Sequence, residues 1–474
     1  MFEILLPTES EMPIYRQIYR QIRELIVSGR LPDGTKLPSV RALQVQLNIS
    51  KTPIETAYQM LTAEGYVVSK PRSGLFAATH GIRDAERAEA AAPSRNAACS
   101  EQPTPAARPA FVADFDPTAL DSDLFPWRTW MKTMKEAMEM RAGDIGKYGH
   151  PQGEFELRLA LADYLRHSRG VNASPERIAV GVGMAYSIGV LTKLLPGPRR
   201  VAIEEPGYNL VRDRFELNGY EIVPIPVGER GLSIDALERI SARAVYVTPS
   251  HQFPTGVVMP YPERQRLLEW AVLNDAYIIE DDYDGEFRYH GKPIPSLQSL
   301  DAHGRVVYIG TFSKALTPAL RMNYMVLPPD LLTRLSDLPQ EIVYAPSRVE
   351  QWAMRSFIEQ GHWYRHIRKA RNAYRRKHRR IIDLIRAELG DRVEITGQDA
   401  GLHIRLTVKT GRSTEELIRL AAAAGVKVYD FRKMWLAPPT VPPDDPQCFL
   451  GFAGIEGVDM DIGIRALRRA WFRD

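Results

Sequence analysis

Seven short apolar runs, separated for the most part by segments of helical periodicity, constrain this chain more than anything else in it. They are Ile178 to Val182, Arg200 to Ile203, Glu221 to Ile225, Ala244 to Thr248, Ala276 to Glu280, Val306 to Ile309 and Tyr324 to Leu327. Neighbouring parallel strands need a crossover long enough for a helix, so this alternation predicts a doubly wound, mostly parallel α/β sheet. Such sheets bind ligands beyond the carboxyl ends of their strands. After about Tyr344 the pattern changes to a long helix. A smaller α+β part follows, containing Leu402 to Leu406, Val426 to Tyr429 and Cys448 to Phe452. The expected large part spans about 145–340 and the small part about 345–474.

The predicted strand ends carry reactive side chains. Lys314 follows the strand ending at Ile309, with hydroxyls at Thr311 and Ser313 and a guanidinium at Arg321. An amine can condense with an aldehyde cofactor, while hydroxyls and a guanidinium hold its phosphate. In Ile278 to Asp284, a carboxylate can pair with a protonated ring nitrogen; Asp281 is the expected partner, and Tyr283 can reach the ring's phenolic oxygen. Gly181-Val182-Gly183-Met184-Ala185 joins a strand to a helix, where backbone N–H groups can hold phosphate. Two more loops, Ser250 to Gly256 and Tyr148 to Gly153, complete the set. Each piece has a plain alternative: a solvated lysine, an acidic turn, an ordinary glycine turn. Their joint occurrence in this order points to pyridoxal 5′-phosphate (PLP).

The first eighty residues read differently. Ile14, Ile18, Ile22 and Leu25-Ile26 recur at helical spacing, and Gly29 to Gly34 ends that helix. Ser39 is placed to cap a second helix, Val40 to Leu47, and Ser50 a third, Lys51 to Glu64. Tyr66 to Ala77 reads as a short hairpin. Helix, helix-turn-helix and hairpin make a winged helix-turn-helix over residues 1–79. Lys36, Ser39, Arg41, Ser50, Lys51 and Thr52 are placed to meet phosphates or base edges, and Arg72 and Gly74 to form the wing tip. A small helical domain for protein contacts is the competing reading, since this segment is only slightly basic. Residues 80–110, rich in alanine and proline, read as a flexible linker. The basic run from His362 to Arg380 reads first as the solvated face of a long helix, and second as a surface for DNA phosphates.

Residues 111–474 resemble fold-type I PLP-dependent aminotransferases. With the winged helix in front, the chain resembles the MocR subfamily of GntR-type bacterial transcription regulators, and most of all their GABA-responsive type. The likeness rests on Gly34 to Arg41 with Ser50-Lys51-Thr52, Ser250 to Pro254, Ile278 to Asp284 and Tyr308 to Arg321. The resemblance implies that Lys314 carries PLP as an internal aldimine and that Asp281 and Tyr283 hold the ring, with Tyr208 a further cofactor-binding residue. It places Gly183, Met184, Ala185, Ser313 and Arg321 near the phosphate. It further implies a homodimer that binds operator DNA and senses an amine effector at Lys314. The alternatives are a sensor of PLP alone and a working aminotransferase. Three departures stand out. Leu210 and Gly454 occupy positions where the GABA-responsive type has arginines for its ligand's carboxylate, so GABA is not the expected effector. Phe253 stands where many aminotransferases place an asparagine beside the phenolic oxygen. Lys51, Pro53 and Glu55 differ from common choices in the recognition helix, so the operator is expected to differ.

Composition sets the outer limits. A length of 474 residues suits about three domains at roughly 150 residues each. A net charge of +4 permits nucleic-acid binding without arguing for it. Two cysteines, Cys99 and Cys448, leave no disulfide framework or metal-ligand cluster. The sequence shows neither a signal peptide nor a run long enough for a membrane span. The expected location is the cytoplasm, at the nucleoid.

Overall fold

The computed structural model describes residues 4, 6, 12–78, 111–289, 295–339, 342–436 and 445–472. It divides into two compact units, Met1–Arg108 and Pro109–Asp474. The expected linker, 80–110, lies outside the described residues.

In the first unit α1 (Ile14–Val27) buries Ile18, Ile22 and Ile26, one stripe at i, i+4, i+8. The stripe packs with Leu43 of α2 (Val40–Leu47) and with Ile54, Ala57 and Leu61 of α3 (Lys51–Ala63). Each of these leucines and isoleucines contributes about 1.5–3 kcal/mol by leaving water. Ser39 Oγ accepts the Ala42 N–H at 3.1 Å, as its capping position predicts. Asn48, at φ 51°, makes the left-handed turn between α2 and α3. Ser50 occupies the N-cap position of α3 with extended backbone, but its hydroxyl makes no cap bond. That corrects the capping expectation and leaves the hydroxyl unengaged by the helix. The wing is β1 (Val67–Lys70) paired antiparallel with β2 (Gly74–Ala77).

The second unit holds an eight-stranded sheet. In chain order its strands are β3 (Ile178–Gly181), β4 (Arg200–Glu205), β5 (Glu221–Gly228), β6 (Gly231–Leu232), β7 (Ala244–Val247), β8 (Tyr277–Asp282), β9 (Val306–Thr311) and β10 (Asn323–Val326). Their spatial order is β3-β10-β9-β8-β7-β4-β5-β6. Pairs from β9 through β8, β7 and β4 to β5 are parallel. β10 runs antiparallel to both neighbours, and β6 turns back on β5. All seven predicted strands are present. Residues Tyr277–Asp282 are buried throughout, because helices cover both faces of a parallel sheet.

The long helix expected after Tyr344 is two helices, α6 (Arg348–Glu359) and α7 (His362–Glu388). Gly361 separates them at φ 74°, a conformation that stops a right-handed helix. The smaller sheet is antiparallel: β11 (Val393–Thr396), β12 (His403–Val408) and β13 (Gln447–Gly451). Ile404, Leu406, Val408, Cys448 and Leu450 pack into one core with Ile381 and Ile385 of α7 and Ile464 and Leu467 of α8 (Gly457–Trp471). By strand alternation His403, Arg405, Thr407 and Phe449 emerge from the opposite face. Ala113 and Phe115 join this same core, bringing residues 116–118 beside the large sheet's strand ends. Among the described residues no helix is long and apolar enough to cross a membrane.

Candidate functional site

The carboxyl ends of β8, β9 and β7, with the turn after β3, assemble one site. Lys314 sits in the tight turn just past β9. Its Nζ donates to the Pro117 carbonyl at 3.0 Å and to that of Thr118 at 3.4 Å. Burial lowers the ammonium's pKa, and Asp284 and Asp116 partly offset this. A larger fraction of the amine is therefore neutral and nucleophilic than for a surface lysine.

Asp281 and Asp282 differ in role although adjacent. Asp282 is taken up by structure: it receives Arg169 Nε at 2.6 Å and the Tyr308 hydroxyl at 2.7 Å. Asp281 points to the other face. The Tyr246 hydroxyl donates to its Oδ2, while Oδ1 is buried without a partner. Burial pushes the Asp281 carboxyl up to about 7, and the charges of Asp282, Asp284 and Glu204 add to that. A buried, half-satisfied carboxylate is costly unless a cationic donor meets it.

Tyr283 lies past the end of β8. Its hydroxyl is 2.9 Å from His251 Nδ1, which is also 2.9 Å from Asp284 Oδ2. Phe253 packs edge-on against Tyr208 and Tyr283, with centroids 5.6 and 6.0 Å away. Burial raises the Tyr208 phenol, with the charge of Asp281 adding and that of Arg321 opposing.

The turn after β3 forms a cradle. Gly183, at φ 101°, precedes α4 (Met184–Leu194) and donates its N–H to Asn323 Oδ1 at 3.0 Å. Arg321, itself left-handed at φ 48°, lays its guanidinium against this turn. The first N–H groups of α4, at Met184 and Ala185, have no intrahelical acceptor and suit an anion. Ser313 N–H donates to Thr311 Oγ1 at 3.1 Å, shaping the loop beside Lys314.

These residues fit PLP on their own chemistry. An amine suits its carbonyl, an unpaired buried carboxylate oxygen its ring nitrogen, a phenol its ring oxygen, and a helix N-terminus with a guanidinium its phosphate. Tyr148 to Gly153 stands apart: Tyr148 is fully exposed, and Gln152 bonds the Glu176 and Ile178 carbonyls by the sheet edge. Leu210 packs in the apolar cluster at the start of α5 (Asn209–Leu217). Gly454 has no room for a side chain, since a β-carbon there would stand 2.5 Å from that of Ala119. Tyr246 and Asn323 were not foreseen from sequence, and His251 was seen only as part of a loop.

On the first unit Lys36, Ser39, Arg41, Ser50, Lys51, Thr52, Arg72 and Gly74 are all exposed. Lys51 pairs with Glu55 at 2.9 Å. Lys36 and Lys70 lie over the Phe76 ring, at 6.0 and 4.8 Å, so they hold the wing while keeping their charge outward. Arg72 turns the wing tip at φ 62°. Along α7, Lys377 pairs with Asp121 and Arg380 with Asp461, while Arg368, Lys369, Arg376 and Arg379 are exposed.

Residues 14–76 match the model of the bacterial regulatory proteins, gntR family, and residues 117–431 that of aminotransferase class I and II. The chain is 41% identical to the HTH-type transcriptional regulator YdeL of Bacillus subtilis over 97% of both proteins. It is 34% identical to the "probable rhizopine catabolism regulatory protein MocR" of Rhizobium meliloti, over 99% of this chain and 96% of that one. The α-aminoadipate aminotransferase LysN of Thermus thermophilus, solved with N-(5′-phosphopyridoxyl)-L-leucine, superposes on 76% of this chain and 92% of its own. The TM-score is 0.67 at 25% identity. PLP is the cofactor of this aminotransferase fold. The chain belongs to the MocR-type GntR transcription regulators, in which a gntR-family helix-turn-helix domain is fused to an aminotransferase class I and II domain.

Proposed function

We propose that this protein regulates transcription by binding operator DNA through its winged helix and by sensing an amine effector at a PLP site built around Lys314. One observation carries the reading: the Lys314 amine, the unpaired Asp281 oxygen and the Gly183–Arg321 cradle converge in a chain that also has a DNA-reading module. PLP, when bound, supplies an aldehyde carbon with which primary amines condense.

The residues divide the work. Asp281 offers its free oxygen to the ring nitrogen, and Tyr246 fixes the carboxylate's orientation. Tyr283 is held by His251 and offers its hydroxyl to the ring oxygen, where Phe253 supplies no polar group. Met184, Ala185, Ser313 and Arg321 serve the phosphate, and Tyr208 lies against the ring. The Pro117 and Thr118 carbonyls accept hydrogen bonds from Lys314 Nζ and would give the amine a resting place when an effector amine takes its position. DNA affinity changes only if the effector binds two arrangements of the protein unequally.

The acting species is a cytoplasmic homodimer reading two half-sites. Tyr148, fully exposed, Trp127 at 64% and Met140 at 74% exposure are apolar side chains that a second copy could cover, which supports the dimer. Purified full-length protein should acquire visible absorbance with PLP. Its binding to a promoter fragment from its own locus, followed by fluorescence anisotropy, should then respond to an amine. Response to PLP alone would instead make the vitamer the signal, and steady keto-acid release would make the protein an enzyme.

A further inference from the structure

Arg405 is the one arginine or lysine in the three strands of the smaller sheet. It emerges from the face opposite the core, directly across from Phe449 and two residues beyond His403. That face looks onto the aromatic wall of the Lys314 site. His403 and Phe449 pack against Phe253 with centroids 5.6 and 6.3 Å apart, and Phe431 stacks on Phe449 at 6.0 Å. Phe253 in turn contacts Tyr208 and Tyr283.

Arg405 is half-buried, yet among the described residues its one hydrogen bond runs from Nε to the neutral Thr396 Oγ1, at 2.7 Å. Burial lowers its pKa, and Glu394 offsets this only from a distance beyond ion pairing. A guanidinium cannot shed its proton, so a half-buried one whose one protein partner is a hydroxyl is left without an anion. Its two Nη groups are left for a bidentate acid.

We propose that Arg405 is the acid-binding residue of the effector site, and that the effectors are amines that also carry a carboxylate or sulfonate. The proposal rests on the reading that amines are taken up at Lys314. It revises the expectation drawn from Leu210 and Gly454: the acid partner is absent from those two positions and is supplied from β12.

Full-length protein loaded with PLP is titrated with 4-aminobutyrate, β-alanine and taurine, and separately with propylamine and ethanolamine, following the visible absorbance. The acidic amines should half-saturate at concentrations lower by about tenfold or more. Arg405→Leu should weaken them by roughly ten- to hundredfold and leave the neutral amines unchanged, while Arg405→Lys should keep part of the preference. Arg405→Gln, which can still bond Thr396, serves if the leucine variant unfolds. As a readout free of amine chemistry, butyrate should raise the thermal midpoint of the wild type but not of Arg405→Leu. Equal response to acidic and neutral amines, or an undiminished preference in Arg405→Leu, overturns Arg405's role while leaving the Lys314 reading in place. No response to any amine removes both.

Discussion

Arg321 Nη2 lies 2.6 Å from the point where a β-carbon on Gly183 would stand. The glycine is therefore required twice. Its φ of 101° strains any other residue, and its missing side chain lets the guanidinium close over the helix N-terminus.

Gly183→Ala should cost about 1–3 kcal/mol in backbone strain and push Arg321 out of the cradle. PLP affinity should fall by about tenfold or more, measured by titrating the apoprotein with PLP. Gly189→Ala is the control. That glycine is inside α4 with nothing within 4 Å of an added β-carbon, so the variant should gain up to about 1 kcal/mol and bind PLP normally.

Asp281→Asn should separate stability from cofactor binding. The carboxyl is raised from 3.8 to about 7 by burial. Between those values the folded apoprotein binds more protons than the unfolded chain, so its stability falls as pH rises through that window and stays lower above it. Asparagine removes this penalty. The apo variant should melt about 2 °C or more above wild type at pH 8 and show no such advantage near pH 4. Its PLP affinity should fall, because a neutral amide cannot pair with a protonated ring nitrogen. Thermal melts of both apoproteins across this range check the sign; an unchanged difference at the two pH values would contradict it.

Much of this site could be read along the chain because parallel strands buried on both faces spell apolar runs, and the polar residues that interrupt them fall at strand ends. Lys314, Asp281, Tyr283 and Gly183 were legible for that reason. The strand Val393–Thr396 was not, since Glu394 breaks an already short run. The reversed direction of β10 was hidden because an apolar run reads alike either way. Tyr246 and Asn323 were hidden by distance: Tyr246 meets Asp281 and Asn323 meets Gly183 only after the sheet has assembled. Arg405 carried no signal within the predicted strand Leu402 to Leu406; only the register places it opposite Phe449.

Lys314→Ala should abolish the absorbance of lysine-linked PLP without loss of the fold. The amine's only hydrogen-bond partners among the described residues are the backbone carbonyls of Pro117 and Thr118, and neither needs a side-chain amine to keep its place. The cradle and Asp281 remain, so PLP should still bind reversibly, and dialysis should then remove it. Retention of the original spectrum would exclude Lys314 as the point of attachment.

The last prediction concerns the recognition helix. Lys51 begins α3, the expected place to meet a phosphate, but Glu55 one turn later holds its ammonium at 2.9 Å and adds a negative charge. An exposed pair of this kind is worth only about 0.3–0.5 kcal/mol, so breaking it costs the fold little. Glu55→Gln should therefore strengthen binding to the promoter fragment by about twofold or more at low salt, since it frees Lys51 and removes repulsion of the phosphates. Arg41→Ala, at an exposed position of α2 with no ion-pair partner among the described residues, should weaken binding and reduce the slope of log K against log salt by about one. Anisotropy titrations at several salt concentrations measure both. Unchanged affinity in Arg41→Ala together with weaker binding in Glu55→Gln would mean that a different face of the winged helix meets the duplex.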